Sequence, residues 1–204
     1  MRRVRYRVAA SLDGFIAGPN GELDWIVPDP TIDFTSVYAG FDIALLGRHT
    51  YELTQQPGAP PWPADWRIYV VSRTLPAGQH AGVTVVGTDV ETTVATLRAE
   101  SGRDIWLFGG GRLFASLLTA GLVDRIEVAL MPVILGGGIP LVASGAPTSR
   151  LLLRSSDVHP SGIVNLAYDI HGLRHQSRSS GSASEDVRVH RTEDDVRRQA
   201  HRRG

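Results

Sequence analysis

The 204 residues carry 21 basic and 21 acidic side chains, for a formal net charge of zero, and 42% of them are apolar, which fits one ordinary globular domain with some length to spare and argues against a second full-sized one. All 21 basic residues are Arg, so a Lys Schiff base, a Lys general base and the lysine of a phosphate-binding P-loop are excluded. The absence of cysteine excludes thiolate nucleophiles, disulfides and Cys-ligated zinc or iron–sulfur centres, and no metal cluster announces itself.

In chain order, residues 4 to 9 alternate Val4, Tyr6, Val8 with Arg3, Arg5, Arg7, the period-two signature of a half-buried strand. The basic start reaches Ser11 after three small apolar residues, short of the roughly 7 to 15 of a signal-peptide core. No apolar run approaches the ~20 residues of a membrane helix, so a soluble, cytoplasmic protein with no membrane partner is expected. Short helices are predicted around Thr31 to Ala39 and Arg48 to Thr54. Compact apolar runs at Ile43–Leu46, Ile68–Val71, Val83–Val86 and Ile105–Phe108 read as buried parallel strands. Between them, Asp89 is placed to cap a helix carrying Val90, Val94 and Leu97 at i, i+4 and i+7, with Gly102 past its end. Arg112 to Ala120 sets Leu113, Phe114, Leu117 and Leu118 on one helical face and stops at Gly121. After Gly121 the helices cease: Ile126–Leu130, Leu151–Leu153 and Ile163–Ile170 follow one another, the last two joined by a turn at His159-Pro-Ser-Gly162. The expectation is an α/β domain over residues 1–172, with a mixed central sheet of about eight strands, flanking helices and a C-terminal antiparallel hairpin.

Composition shifts near residue 172. Residues 173–204 hold 8 of the 21 Arg and 5 of the 21 acids, a net +3 that leaves residues 1–172 at −3, and contain no aromatic residue. A disordered polar and charged tail is expected. A weak electrostatic contact with acidic surfaces or nucleic acid is the sharper reading, but no base-reading motif accompanies it.

Three strand ends carry chemistry. Ile105-Trp-Leu-Phe-Gly-Gly-Gly-Arg112 runs a buried strand through three glycines into an amphipathic helix, where backbone can approach a pyrophosphate and the helix start offers free N–H donors. A tight strand-to-helix turn explains the same residues. It is neither a Rossmann fingerprint, since Phe114 stands where the third glycine belongs, nor a P-loop. Leu45-Leu-Gly47-Arg48-His49-Thr50 repeats the pattern with a guanidinium, an imidazole and a hydroxyl at the first turn. Ser72-Arg73, at the end of the next strand, is a pair of the kind that holds a ribose 2′-phosphate.

These residues carry a family resemblance. Leu45–Glu52 and Trp106–Phe114 resemble the two NADPH-binding segments of dihydrofolate reductase. Ser11-Leu-Asp-Gly-Phe-Ile-Ala-Gly18 with Leu23-Asp-Trp25, and Met131–Leu141, resemble more closely the reductase domain of the riboflavin-biosynthesis deaminase–reductase. The motifs match in order over roughly residues 4 to 171, and the resemblance implies a dihydrofolate reductase-like fold and NADPH as cofactor. On it, Ala9 and Ile16 correspond to backbone contacts to the nicotinamide amide. Gly47, Arg48, His49 and Thr50 correspond to the segment at the pyrophosphate and adenosine phosphate, Ser72 and Arg73 to the 2′-phosphate site, and Gly109, Gly110, Gly111, Arg112 and Leu113 to the loop over the pyrophosphate.

The substrate side departs from both relatives. Where dihydrofolate reductase keeps a carboxylate on its first helix, Pro30 falls near that register, flanked by Asp29 and Asp33, and there is no deaminase signature. Asp24, Trp25, Asp29 and Asp33 are the catalytic candidates, and Trp62, on the stiff loop from Gln55 to Pro63, is a candidate roof over a substrate. The reading is an NADPH-dependent reductase delivering hydride to a C=N or C=O carbon of a small, pteridine- or ribosylaminopyrimidine-like substrate. A non-catalytic nucleotide-binding protein of the same fold is the alternative. The apolar residues at Leu151–Leu153, Ile163–Ile170, Ile126, Val128 and Leu130, beside a long Pro132–Thr148 connection, suggest a homodimer. No metal and no nucleic-acid partner are expected.

Overall fold

The computed structural model describes residues 1–80, 82–171 and a two-residue strand at 188–189. The expected tail therefore lies outside the described residues apart from that strand. In chain order the elements are β1 (Val4–Ala10), β2 (Phe15–Ala17), α1 (Phe34–Ala39), β3 (Phe41–Gly47), α2 (Arg48–Thr54), β4 (Arg67–Val71), β5 (Gly78–His80), β6 (Val83–Val86), α3 (Val90–Ala99), β7 (Asp104–Gly109), α4 (Gly111–Thr119), β8 (Arg125–Leu130), β9 (Ile139–Pro140), β10 (Arg150–Val158), β11 (Val164–His171) and β12 (Arg188–Val189).

Ten strands form one sheet in the order β12-β10-β11-β8-β1-β7-β3-β4-β6-β5, and β2 pairs with β9 apart from it. From β8 to β6 every neighbour is parallel. β11 then lies antiparallel to β8, and β10 antiparallel to β11, as a tight hairpin turn requires. The His159–Gly162 turn is closed by the His159 N–H donating to the Ile163 carbonyl at 2.9 Å and the Gly162 N–H to the His159 carbonyl at 2.9 Å.

Side-chain alternation divides the sheet into two packed faces. On one, Val4, Tyr6, Ile43, Leu45, Ile105, Leu107, Ile126 and Val128 meet Val94 and Leu97 of α3 and Leu113, Phe114 and Leu117 of α4, with Phe114 stacked on Tyr6 at 4.1 Å between centroids. On the other, Ala44, Leu46, Val70, Trp106 and Phe108 pack with Phe41 and Trp66 and, from the adjoining segments, Tyr38, Tyr51 and Trp62. Burying each large apolar side chain contributes roughly 1.5–3 kcal/mol, so the parallel strands, apolar on both faces, anchor the molecule.

Several local expectations shift. Asp89 occupies the N-cap position of α3, yet its side chain makes no capping bond; its backbone carbonyl accepts from Thr93. Gly102, at φ +140°, lies where Arg2 passes to reach Asp42 and the Ser101 carbonyl, and a Cβ there would overlap the Arg2 guanidinium. Its role is clearance for that ion pair. Ile126 and Val128 are buried in the chain's own core, so the apolar excess expected of β8 is absorbed internally. The Pro132–Thr148 stretch is knitted to the 11–18 segment: Asp13 accepts from the N–H groups of Leu135 and Gly136 at 3.1 and 2.7 Å, Leu12 donates to the Val133 carbonyl at 2.8 Å, and β9 pairs with β2.

Candidate active site

Parallel register aligns the carboxyl ends of three neighbouring strands. Leu46 of β3 stands opposite Gly109 of β7, and Gly47 opposite Val71 of β4, so Gly47, Ser72 and Gly109 end side by side. This is the edge of an open parallel sheet where ligands bind. Thr50, one turn into α2, leans across the gap: a Cβ on Gly109 would meet its Oγ1 at 3.4 Å, and one on Gly110 at 3.9 Å. The glycines leave a shelf beside that hydroxyl. Gly110 adopts φ +20°, ψ 146°, which turns β7 into α4.

Neither α2 nor α4 has a side-chain cap, whereas α1 is capped by Asp33 accepting from the Thr35 N–H. The first N–H groups of α4, at Gly111, Arg112 and Leu113, precede the first intrahelical donor, Phe114, which bonds the Gly110 carbonyl, and so remain available to an external acceptor. Basic side chains stand on the adjoining segments. Arg73 and Arg112 are exposed, and His49 is 95% exposed with Glu52 3.4 Å away. Arg48 donates through Nε to Glu52 Oε1 at 2.6 Å and through Nη1 to Thr74 Oγ1 at 2.6 Å. The Arg48 hydrogen bond holds the Glu52 carboxyl below its usual range. Ser72 is buried, and its Oγ accepts from the N–H groups of Thr74 and Leu75 at 3.2 and 3.0 Å; it shapes the turn that carries Arg73 and Thr74.

Ala9 lies near the end of β1 on the face opposite Val8, level with Ala129 of β8, which is in turn level with Asn165 of β11. Two small side chains thus floor this face between Asn165 and the Phe108–Gly109 end of β7. Ile16, on β2, packs against the core of the other face.

The four catalytic candidates do not converge. Asp24 is exposed. Trp25 donates from Nε1 to the Glu22 carbonyl at 3.0 Å, within its own loop. Asp33 is occupied as the α1 cap. Asp29 accepts from Thr31 N and Oγ1 at 2.8 and 2.5 Å and from the Ser161 hydroxyl. The Ser161 and Thr31 hydrogen bonds bring its carboxyl down to about 2, so at neutral pH it is an ionised acceptor with no proton to give. Trp62 does reach the strand ends: it packs edge-on to Phe108 at 5.0 Å and stacks with Trp66 at 5.9 Å, and its buried Nε1 has no hydrogen-bond partner.

The residue reading passed over two groups. Glu127 is buried on the Ala9 face and accepts from Arg5 at 2.7 Å and Arg7 at 2.9 Å; the Arg3/Arg5/Arg7 alternation marked a polar strand face but named no partner 120 residues away. His159 meets Asn165 Nδ2 at 2.7 Å and Thr31 Oγ1 at 3.4 Å, tying the loop before α1 to the hairpin turn. Among the described residues no group of three or more His, Asp or Glu is arranged to hold a metal ion.

The model of the RibD C-terminal domain family matches residues 2–165. The chain belongs to this family. Protein YyaP of Bacillus subtilis (strain 168) is 32% identical over 182 residues, covering 84% of this chain and 96% of YyaP. A crystal structure of a putative riboflavin biosynthesis protein from Shewanella sp. PV-4 superposes with a TM-score of 0.71 at 27% identity, covering 83% of this chain and 99% of that one. Dihydrofolate reductase from Enterococcus faecalis, solved with NADP(H), gives a TM-score of 0.61 at 21% identity over 83% of this chain and 96% of that one. The fold is dihydrofolate reductase-like, and family and fold are those of reductases. No helix among the described residues is long and apolar enough to cross a membrane.

Proposed function

We propose that this RibD C-terminal domain protein is a cytoplasmic, NADPH-dependent reductase that transfers hydride to a C=N or C=O carbon of a small pteridine- or ribosylaminopyrimidine-like substrate. The observation that carries the reading is the alignment of Gly47, Ser72 and Gly109 at adjacent parallel strand ends, with uncapped helix starts and the basic side chains Arg48, Arg73 and Arg112 on the segments that follow them. The residues fit the cofactor. A glycine shelf beside Thr50 admits a backbone-hugging pyrophosphate, and the N–H groups of Gly111, Arg112 and Leu113 supply donors for it. Arg48 and Arg73 would hold the 2′-phosphate, with His49 beside them and Ser72 fixing the turn. Ala9 and Ile16 would place the nicotinamide end through their backbone.

When bound, the dinucleotide supplies the hydride. The chain supplies orientation, which accounts for most of the rate in a transfer between two held reactants. Ala9 and Ala129 leave room over the sheet, Trp62 and Phe108 wall one side, and Asn165 with His159 bounds the other. With Asp29 ionised and bonded and Asp33 capping α1, the proton is assigned to water reaching the exposed Asp24–Trp25 loop.

Titration with NADPH and NADH tests the cofactor assignment. A charge-assisted contact of ~1.5 to 3 kcal/mol corresponds to a roughly ten- to hundredfold preference for NADPH, and Arg48→Ala and Arg73→Ala should each erode it. Equal dissociation constants for the two dinucleotides would overturn the assignment. NADPH oxidation across a panel of pteridines, imines and ketones tests the chemistry; tight binding without turnover on any of them favours a non-catalytic nucleotide-binding protein.

A further inference from the structure

The cation set at the end of β3 contains its own anion. Glu52 touches both basic side chains at the start of α2, through Oε1 to Arg48 Nε at 2.6 Å and through Oε2 to His49 Nδ1 at 3.4 Å. Arg48 and Glu52 are each close to half exposed. An ion pair exposed in this way contributes little to stability, so folding gives little account of it. Its effect on a ligand is another matter. A phosphate arriving at Arg48 meets a guanidinium already partly neutralised and a carboxylate one hydrogen bond behind it.

We propose that Glu52 is a specificity residue that holds down the preference for a 2′-phosphorylated dinucleotide over its unphosphorylated counterpart. The inference rests on the proposed cofactor reading. Two functions of Glu52 are separable, because Arg48 has a second anchor. Its Nη1 donates to Thr74 Oγ1 at 2.6 Å, and Thr74 lies on the turn secured by Ser72. A Gln at position 52 keeps an oxygen acceptor for Arg48 Nε and removes only the charge. The guanidinium stays in place, and the repulsion between the carboxylate and a phosphate dianion disappears. NADH lacks the 2′-phosphate and carries its charge only at the pyrophosphate, away from Arg48 Nε, so it responds less to the change.

The test is the ratio of NADH to NADPH dissociation constants for the full chain and for Glu52→Gln, measured by calorimetric titration at low and at physiological ionic strength. The expected result is a ratio at least about threefold higher in Glu52→Gln at low salt, chiefly through NADPH, with the gain shrinking as salt screens the exposed charges. Arg48→Ala introduced into Glu52→Gln should abolish the gain. A ratio that is unchanged or lower in Glu52→Gln overturns the assignment, a fall showing that Glu52 serves to orient Arg48. Failure of the unmodified chain to bind either dinucleotide is read before any variant and overturns the cofactor reading together with this inference. Glu52 is exposed, so an unchanged melting temperature is expected and checks that the variant is folded.

Discussion

Asp29 illustrates how a single side chain can look catalytic in a sequence and be occupied in a fold. It stands before Pro30, where a carboxylate on the first helix of dihydrofolate reductase would fall, but its oxygens are taken by Thr31 and Ser161. Because those bonds lower its folded pKa to about 2 from an ordinary 3.8, its contribution to stability is complete above pH 4 and is lost as pH falls toward 2. Asp29→Asn should therefore lower the denaturation midpoint at neutral pH, with the difference from the unmodified chain closing between pH 4 and 2; denaturant titrations at several pH values measure it. A difference independent of pH would show that shape, not charge, ties the loop to the hairpin turn. The same tie gives Thr31, His159 and Asn165 their place, and no local signal in the sequence pairs residues 128 positions apart.

At the scale of elements, α4 depends on a close approach that glycine alone permits. A Cβ on Gly111 would overlap the Pro140 carbonyl and approach that of Leu141 to 3.2 Å. Helix propensity by itself predicts a gain of ~1 kcal/mol for Gly111→Ala. Overpacking against backbone costs typically ~1–3 kcal/mol, so a net loss of stability is expected, with weaker dinucleotide binding because Gly110–Leu113 must shift. Leu117→Ala, on the buried face of the same helix, should cost ~2–5 kcal/mol and leave the cofactor contacts in place; thermal melts with parallel titrations separate the two. The strands were legible wherever apolar runs were continuous, as at Ile43–Leu46 and Ile105–Phe108, and α4 was legible from its 3.6-residue period. Among the strands that escaped, Gly78–His80 carries no apolar pattern, and Phe15–Ala17 and Ile139–Pro140 exist by pairing with each other, Ala17 with Ile139 and Phe15 with Pro140. The meeting of Gly47, Ser72 and Gly109 at neighbouring strand ends was legible because glycine and charge mark those ends locally. The packing of Trp62 on Phe108 and the placing of Asn165 beside Ala129 were not, because they join distant segments.

For the whole molecule, the proposed homodimer turns on the C-terminal hairpin, where consecutive residues of β10 leave apolar side chains exposed on both faces of the sheet. Ile126 and Val128 are internal, but Leu151 and Leu152 on β10 are 48% and 43% exposed. Pairing through this hairpin predicts a mass of two chains in light scattering at micromolar concentration and dissociation by Leu152→Glu without unfolding; a mass of one chain rejects it. The central claim is that a dinucleotide lies across the ends of β3, β4 and β7, and a crystal structure of the chain with NADPH tests it most directly. The account predicts the pyrophosphate on the N–H groups of Gly111 to Leu113 beside Thr50, with the 2′-phosphate between Arg48 and Arg73. A dinucleotide seated instead in the groove of about 360 Å³ between Arg112, Ser116 and Ser144, with no phosphate between Arg48 and Arg73, would contradict it.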